Sequence, residues 1–489
     1  MDRFYIENFG CRATQADGAA LERQFLERGL QRAATSQEAE IVVLNTCTVT
    51  EGADKDARSS IRRLQRVNPD CRILVTGCYA QRAPEELAAL PGVTWVVGNS
   101  HKHRAAEIAT SVVPSSSRSG FVPLQELTGQ NESIPFFGEK RETMEQPSMV
   151  QPSIVVGDIF AHTELLAAPV FEAANERTRP NLKVQDGCDN RCSFCVIPYV
   201  RGKSRSLPME RVVQEVRTLV EAGYREVVIS GINLGRWGRD LDGSSQLSAV
   251  SSRLNPATGS RRLEALVLAI LQETSLEKLR ISSVEPMDWS DELIELVASS
   301  PRIAKHAHVP LQSGSDAVLR RMHRKYRPWH YREKILKIRA AMPTAAIGAD
   351  VMVGFPGETE AEFEETRRMI DELPFTYLHV FTYSPRPGTP AAAESRQVPV
   401  AIARERNRIL RELASKKKAA FMQSLVGTAV EAITLLSVGG GFTEALTDNY
   451  LKVKISGRHE ANQWIKLRVE GVPGEMLTGS PTAMQTVNP

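Results

Sequence analysis

No apolar run in this sequence of 489 residues is long enough to span a bilayer, and the first residues, "MDRFYIENFG", lack a basic segment followed by a long apolar stretch. We therefore expect neither a membrane span nor a secretory signal. The formal net charge is only +3, so any surface that attracts nucleic acid must be local. These absences predict a cytoplasmic protein with no membrane partner.

Cysteine is also scarce. The chain has seven cysteines, an odd number that is unevenly spread, so a secreted framework of disulfides is not expected and reduced thiols are the better interpretation. Three of the seven lie within the stretch "VQDGCDNRCSFCVIP", as Cys188, Cys192 and Cys195.

This triplet offers one thiolate fewer than a closed metal site needs. Structural zinc takes four protein ligands, and no histidine lies near the triplet. A four-iron cluster held by three thiolates would keep one iron open to a substrate or cofactor. The triplet therefore favours a reactive iron–sulfur cluster, and a zinc or purely structural site is the less favoured alternative.

The other cysteines follow a regular pattern in the first hundred residues. Strand signals ("RFYIENFG", "IVVLN", "RILVTG", "TWVVG") alternate with helical ones, which predicts a parallel sheet whose carboxyl ends share one edge. Cys11, Cys47 and Cys78 each follow a strand, whereas Cys71 opens one and is expected at the opposite edge. Single cysteines are most often buried filler side chains, but this shared placement favours a common site.

The remaining chain divides by composition. Residues 105–179 read as a linker that is partly disordered, and residues 241–262 read as an irregular insert. Between residues 180 and 420, six strand candidates separated by helices predict a parallel barrel or partial barrel, with the cysteine triplet after its first strand. Short spaced strands in residues 421–489 predict a small β-barrel.

The spacing of the triplet, with Phe194 before its last cysteine, resembles the radical S-adenosylmethionine (SAM) superfamily. The resemblance implies that SAM binds the open iron and that an electron from the cluster cleaves it to a 5′-deoxyadenosyl radical. It also implies SAM contacts by Phe194, by Gly231 in "SGIN" with the methionine amino group, by Glu285 in "SSVEP" with the ribose, and by Gly354 and Gly357 in "VGFPGET" near the adenine. No side chain is assigned as a general base.

The order of "NFGCRATQ", "LNTCTVT", "VTGCYAQ", "HVPLQSGSDAVLRRMHRKY" and "FTYSPRPGTPA" resembles the radical methylthiotransferases along nearly the whole chain. The resemblance implies that Cys11, Cys47 and Cys78 hold a second [4Fe-4S] cluster, which presents sulfur to the substrate. It implies an α/β fold with an N-terminal parallel domain (1–104), a radical SAM partial (β/α) barrel (180–420) and a TRAM-like RNA-binding barrel (421–489). The "RATQ" after Cys11 and the long linker depart from the family pattern.

Four segments, "IPYVRGKSRS", "GINLGRWGRDL", "YLHVFTYSPRPGTPA" and "LTDNYLKVKISG", resemble the branch that modifies N6-threonylcarbamoyladenosine at position 37 of tRNA. This implies tRNA as partner and an electron donor such as ferredoxin or flavodoxin, and leaves the sulfur donor open. The alternatives are action on N6-isopentenyladenosine or on a ribosomal-protein aspartate. A non-catalytic iron–sulfur RNA-binding or redox protein, and a radical enzyme that only methylates, are the alternatives from other classes.

Two basic segments are candidates for contact with RNA phosphates. The predicted helix from Arg404 to Lys418 carries seven cationic side chains against two glutamates, and "RRMHRKYR" begins at Arg320. A solvated helix face explains the same charges equally well.

Overall fold

The computed structural model of the protein describes residues 2–111, 152–162, 165, 179–241, 262–435 and 441–482. Most of the predicted linker and of the predicted 241–262 insert lies outside the described residues. Within these ranges, no helix has the length and apolar character needed to cross a membrane.

The N-terminal domain is a six-stranded parallel sheet in the order β2-β1-β3-β4-β5-β6, as the alternating pattern predicts. Helices cover it because each crossover between parallel strands must return along a face of the sheet. Its elements are β1 (Arg3–Asn8), α1 (Arg12–Glu27), β2 (Gln31–Arg32), β3 (Ile41–Thr46), α2 (Glu51–Val67), β4 (Arg72–Gly77), α3 (Cys78–Arg82), α4 (Pro84–Ala88), β5 (Val93–Gly98), α5 (Ala105–Thr110) and β6 (Ser153–Val155).

This domain continues past the predicted boundary at residue 104. The alanines at 105, 106 and 109 of α5 are buried against the sheet, and β6 pairs with β5, Trp95 opposite Ser153. A helix of six residues and a strand of three carry too little periodicity to be predicted. Part of the segment expected to be a linker is therefore part of the first domain.

The central domain contains the six predicted parallel strands, in the chain order β7, β9, β10, β11, β12, β13. Two isolated bridges, Leu279 with Ile303 and Ser283 with His308, join the two halves of this sheet. No described residues of β7 and β13 pair, so the barrel is partial, as predicted. The strands are β7 (Asn181–Asp186), β8 (Arg205–Ser206), β9 (Glu226–Gly231), β10 (Lys278–Ile281), β11 (His306–His308), β12 (Ala346–Val353) and β13 (Tyr377–Thr382).

Helices cover the outside of this partial barrel and bury its apolar core between themselves and the strands. They are α6 (Ile197–Arg201), α7 (Met209–Glu221), α8 (Arg262–Glu273), α9 (Asp291–Ser299), α10 (Asp316–Arg321), α11 (Pro328–Ala341), α12 (Glu360–Glu372) and α13 (Val400–Ser424).

The C-terminal segment forms the predicted small barrel, closed in the order β14-β15-β16-β18-β17. It contacts the central domain through polar pairs: Arg280 donates to the Asp448 carbonyl at 2.9 Å, and the Asn449 amide donates to the Thr344 carbonyl at 3.1 Å. Its strands are β14 (Ala429–Thr434), β15 (Phe442–Thr447), β16 (Lys452–Ser456), β17 (Trp464–Gly471) and β18 (Leu477–Pro481).

A buried network of charges joins the first two domains. Asp17 on α1 accepts from Lys102 at 2.9 Å, from Arg201 at 2.9 Å and from Lys183. Asp186 accepts from Lys183 at 2.8 Å and from Arg201 at 3.0 Å. Burial acts to raise the pKa of Asp17, but the three surrounding cations outweigh it and hold that pKa well below its usual range. Both aspartates are therefore ionised in the folded protein.

A second ionic contact ties the same two domains together elsewhere. Arg386, in the segment "SPRPGTP", donates to Asp54 of α2 at 2.7 Å and to the Thr48 carbonyl at 3.2 Å. Arg82 and the Thr48 hydroxyl also donate to Asp54, at 3.1 and 2.6 Å. The two domains thus meet through two sets of ion pairs, in addition to the apolar contact of Cys78 with Val196 and Val200.

The substitution Asp17→Asn is expected to destabilise the protein by about 3–5 kcal/mol, because it leaves three buried cations with one carboxylate. Since the folded-state pKa of Asp17 is depressed, its contribution is complete above the unfolded-state pKa of about 3.9 and is lost as pH falls below it. Chemical unfolding at pH 7 and at successively lower pH measures both effects. Asp56→Asn, which changes an exposed carboxylate on α2, is the matched control.

An equal loss of stability in both variants at pH 7 would contradict a special role for the buried network. So would a difference between Asp17→Asn and the unsubstituted protein that does not shrink under acid conditions.

Candidate active site

The three N-terminal cysteines lie together at the carboxyl edge of the first sheet. Cys11 caps the start of α1, Cys47 follows β3, and Cys78 opens α3 directly after β4. Gly10 has φ +97°, and a Cβ built there would lie 2.5 Å from the Cβ of Cys47. The loop that carries Cys11 can approach Cys47 this closely only because residue 10 is glycine.

Polar groups surround these thiols. The Asn99 amide donates to Cys78 Sγ at 3.5 Å, and the Thr14 hydroxyl lies 3.5 Å from Cys11 Sγ. Burial, together with the neighbouring thiols of Cys78 and Cys11, raises the pKa of Cys47 to about 12. A cationic centre bound by Cys47 would oppose this rise, because metal ligation requires the thiolate.

The second triplet lies in the loop between β7 and α6. Arg324 donates to Cys192 Sγ at 3.4 Å, and the Asn233 amide donates to Cys188 Sγ at 3.6 Å. Burial, then the thiols of Cys192 and Cys188, raises the pKa of Cys195 to about 12. Hydrogen-bond donors aimed at the sulfurs are the kind of interaction that tunes a thiolate-bound cluster.

The number of thiolates favours a four-iron centre. Each site offers three sulfurs, whereas a structural zinc ion takes four protein ligands. Three thiolates leave one iron of a four-iron cluster open for a further ligand. The donor set of each triplet therefore fits a four-iron cluster better than a zinc ion.

A further cluster of possible ligand groups lies close by: the ligand atoms of His308, Asp350 and His379 are all within 4.8 Å of one another. The Nε2 of His308 lies 3.4 Å from Asp350 Oδ1, and its Nδ1 is 2.6 Å from the Ser283 hydroxyl. These side chains face the same cavity as the cysteines.

One cavity of about 620 Å³, with contributions from all three domains, is lined by Cys11 of the first cysteine site and by all three cysteines of the second, whereas Cys47 and Cys78 lie behind Cys11 and are not among its lining residues in the described ranges. The first domain contributes Cys11 and Arg12, and the small barrel contributes Tyr450. From the central domain come the second triplet and polar or aromatic side chains that include Asn233, Ser283, Glu285, His306, His308, Gln312, Arg324, Asp350, Tyr377 and His379. A substrate in this cavity would have access to both cysteine sites.

Three of the five predicted SAM-contacting residues line this cavity: Phe194, Gly231 and Glu285. A Cβ at Gly231 would lie 2.8 Å from the Gln185 side-chain oxygen, so this turn has no room for a side chain. Glu285 forms an ion pair with Arg324, the residue that also donates to Cys192. The site thus links the predicted ribose contact to the cluster loop through one guanidinium.

Gly354 and Gly357 are not among the cavity-lining residues of the described ranges. Both have positive φ, and the Gly354 amide donates to Glu358, which Arg406 of α13 contacts at 2.8 Å. The Gly357 amide donates to the Arg396 carbonyl at 2.6 Å. These glycines shape a loop that closes against α13, and their contact with adenine stays a prediction.

The basic helix carries both paired and exposed cations. Arg406 is buried and paired with Glu358 and Glu360. Arg408 pairs with both Glu405 and Glu412, and Lys417 donates to two carbonyls near the end of α12. The remaining exposed cations, which have no ion pair among the described residues, are Arg404, Arg411 and Lys416. Contact of this helix with RNA phosphates stays a prediction.

The segment beginning at Arg320 is likewise paired. Arg320 and Arg327 contact Asp316, Arg321 contacts Glu362, and Arg324 contacts Glu285. The number of cationic residues in a segment therefore does not show how many of them are exposed to solvent and unpaired.

Sequence reasoning missed the groups that hold the cysteine loops. In the sequence, Arg324 is one of several cations in a basic segment and nothing distinguishes it from the others. Asp17 lies on the inner face of α1. The polar positions Lys183, Gln185 and Asp186 in the buried strand β7 were the available signal, because such residues in a strand interior need partners.

Comparisons with known proteins agree with this architecture. Residues 3–98 match the family described as "Uncharacterized protein family UPF0004", and residues 182–370 match the radical SAM superfamily. A structure of the radical SAM methyltransferase TsrM from Kitasatospora setae is 15% identical, with a TM-score of 0.51, over 90% of this chain and 79% of that one. At that identity the likeness concerns the fold alone.

Three curated relatives are much more similar in sequence. The threonylcarbamoyladenosine tRNA methylthiotransferase MtaB of Aquifex aeolicus is 34% identical over 95% of this chain and 99% of the relative. The MtaB of Bacillus subtilis is 35% identical over 93% and 90%. The tRNA-2-methylthio-N(6)-dimethylallyladenosine synthase of Erythrobacter litoralis is 32% identical over 88% and 86%.

The fold and the matched families define a radical SAM protein with an additional cysteine domain before its barrel. More particularly, the chain belongs to the radical SAM tRNA methylthiotransferase family, in the branch of the MtaB proteins. The resemblance found in the sequence motifs is confirmed.

The substitution Gly10→Ala is expected to impair the N-terminal cluster, because the new methyl group would overlap Cys47. After anaerobic reconstitution, iron should fall from about eight to about four per chain, as two four-iron clusters become one. Gly29→Ala is the matched control, since Gly29 also has positive φ (+80°) but nothing lies within 4 Å of its Cβ position. Iron and sulfide analysis distinguishes the variants, and retention of about eight irons by Gly10→Ala would show that this close approach is not required.

Proposed function

We propose that this protein is a tRNA methylthiotransferase that inserts a methylthio group at C2 of N6-threonylcarbamoyladenosine at position 37, by radical SAM chemistry. The observation that carries the proposal is the single cavity bordered by both cysteine sites, in a chain that matches MtaB relatives over nearly its whole length. A cavity of this kind lets one bound base meet the radical source and the sulfur source without leaving the protein.

Two four-iron clusters, held by Cys11, Cys47 and Cys78 and by Cys188, Cys192 and Cys195, would together with SAM supply the radical, the electrons and the methylthio group. The protein's own side chains hold these groups in place. Arg324 and Asn233 donate to the sulfurs of the second site and offset their negative charge. Arg324 also orients Glu285 toward the cavity, where its carboxylate can accept from the ribose hydroxyls of SAM.

Packing between the domains sets the direction in which the two sites face. Cys78 packs directly against Val196 and Val200, which follow the second triplet, and the Asn99 amide donates to the Val200 carbonyl at 2.7 Å. These contacts hold the segment after the second triplet against the first cysteine site.

Other substrates fit less well. The dimethylallyladenosine relatives cover less of this chain than the MtaB relatives do, 88% against 95% for the first of each kind. The cavity wall contains Arg12, Asp350 and three histidines, groups that suit a polar substituent better than a hydrocarbon one. We propose an external electron donor such as ferredoxin or flavodoxin, a sulfur donor of unspecified kind, and a cytoplasmic location.

Cysteine substitutions test which site forms the radical and which site supplies the sulfur. Cys188→Ser is expected to abolish 5′-deoxyadenosine formation, because it removes a ligand of the SAM-binding cluster. Cys47→Ser is expected to keep deoxyadenosine formation but to abolish methylthio transfer. Cys71→Ser, at the opposite edge of the same sheet, is the matched control and should keep both activities.

The measurement uses reconstituted enzyme, SAM, reductant and sulfide with tRNA that carries either threonylcarbamoyladenosine or isopentenyladenosine. Digested nucleosides and deoxyadenosine are quantified by mass spectrometry. A methylthio group on isopentenyladenosine alone would overturn the substrate assignment. A methylated but sulfur-free product from Cys47→Ser would favour an enzyme that only methylates. If no preparation forms deoxyadenosine, the unsubstituted enzyme included, a non-catalytic iron–sulfur protein is favoured.

A further inference from the structure

A continuous set of rings forms one wall of the cavity. The aromatic wall consists of His306, His308, Tyr377, His379 and Tyr450. His306 and Tyr377 are stacked with an interplanar angle of 7°, and the ring centroids of His306 and Tyr450 are 4.9 Å apart. Flat, closely spaced rings of this kind can pack against a planar ligand such as a purine.

The small barrel contributes Tyr450 to this wall through a strained turn. Tyr450 has φ +69°, a left-handed conformation that non-glycine residues seldom adopt, and its amide donates to the Thr447 carbonyl at 3.0 Å. Backbone strain of this kind persists where the surrounding structure fixes the residue, and it is concentrated at functional sites. The strained backbone therefore makes the Tyr450 side chain a candidate for a functional contact.

Three arginines surround that tyrosine ring. The guanidinium carbons of Arg12, Arg179 and Arg280 lie 6.0, 6.0 and 5.4 Å from the Tyr450 ring centroid. Glu226 pairs with Arg280 at 2.6 Å and with Arg179 at 3.5 Å, so one carboxylate serves two cations. The Asp448 carboxylate also lies near Arg280. The three arginines around Tyr450 therefore outnumber these two carboxylates by one.

Arg12 is the cation of this group that is open to a ligand. It is exposed and lines the cavity, and within the described ranges its guanidinium makes one hydrogen bond, to the Tyr450 hydroxyl at 2.9 Å, and no ion pair. Its backbone is fixed, because its carbonyl accepts from the Asn181 amide at 3.2 Å. The cavity carboxylate of Asp350 instead lies beside His308, 3.4 Å from Nε2.

The positive charge of Arg12 also acts on the pKa of two histidines in the aromatic wall. Burial lowers the pKa of His379, and the positive charge of Arg12 adds to that effect. Burial likewise lowers the pKa of His306, with further contributions from Arg280, His308 and Arg12. Both rings are therefore neutral at pH 7, and they offer hydrogen bonds without adding charge to the wall.

We propose that Arg12, positioned by Tyr450, binds the carboxylate of an anionic N6 substituent on the target adenosine, while the aromatic wall packs against the base. A guanidinium can pair with a carboxylate through two parallel hydrogen bonds, which fixes both charge and orientation. A neutral hydrocarbon substituent would leave Arg12 without a partner, so the same contact selects against it. This inference rests on the proposed function, because the threonylcarbamoyl group supplies the carboxylate.

The test compares two anticodon stem-loops, one with threonylcarbamoyladenosine and one in which its carboxylate is converted to the neutral amide. Equilibrium binding to the holoenzyme is followed by fluorescence anisotropy, and KM for methylthio transfer is measured in parallel. The unsubstituted enzyme should prefer the acid by roughly 10- to 100-fold, the worth of one charged hydrogen-bonded pair. Arg12→Gln should bind both stem-loops equally, and Arg12→Lys should recover part of the preference.

Two further variants separate this explanation from damage to the neighbouring Cys11 site. Tyr450→Ala, far from Cys11 in the chain, should also reduce the preference for the acid. Arg62→Gln, which removes an exposed cation from α2 of the same domain, should leave it unchanged. The iron content of each preparation shows whether both clusters are present.

Each result decides between distinct conclusions. If the unsubstituted enzyme modifies threonylcarbamoyladenosine but binds acid and amide equally, or if Arg12→Gln keeps the preference with full iron content, the carboxylate site is wrong and the proposed function stands. If the unsubstituted enzyme modifies neither threonylcarbamoyl stem-loop, the proposed function is wrong and this inference fails with it.

Discussion

The buried ion pairs between α1 and the cysteine loop determine how the two halves of the site face each other. Asp17 lies on the helix that begins directly after Cys11, whereas Asp186 and Arg201 flank the second triplet on either side. Charges removed from water are costly unless every partner is present, so this contact is stable in one arrangement only. A displacement of one domain would leave cations unpaired, and the two cysteine sites consequently share one cavity.

Side chains inside the cavity also connect separate parts of the protein. Arg324 pairs with Glu285 and donates to Cys192, so one guanidinium connects the predicted SAM pocket to the cluster loop. Tyr450 of the small barrel contacts Arg12, the residue next to Cys11. The C-terminal barrel therefore helps to form the cavity that the cysteine sites border. A substrate held there would touch all three domains at once, which couples its recognition to their assembly.

The sequence predicted the long elements and their order because hydrophobic periodicity reports which face of a strand or helix is buried. It missed α5 and β6, which have only six and three residues, and β6 pairs with β5, a strand distant in the chain. It placed Cys11, Cys47 and Cys78 correctly after strands, where parallel strands must converge. It did not reveal that two cations of the basic helix, Arg406 and Arg408, have acidic partners, because a count of charges says nothing about pairing.

Local patterns in the sequence are enough to predict the class of chemistry. Cysteine spacing and the alternation of strands and helices are local properties, and they predict three-thiolate sites at one edge of each sheet. The polar groups that hold those sites could be identified from the three-dimensional structure alone, because the partners of Asp17 lie 85, 166 and 184 positions away. Hydrogen bonds and ion pairs depend on distances of a few ångströms between side chains. Such distances follow from the packing of whole domains, and no local pattern encodes them.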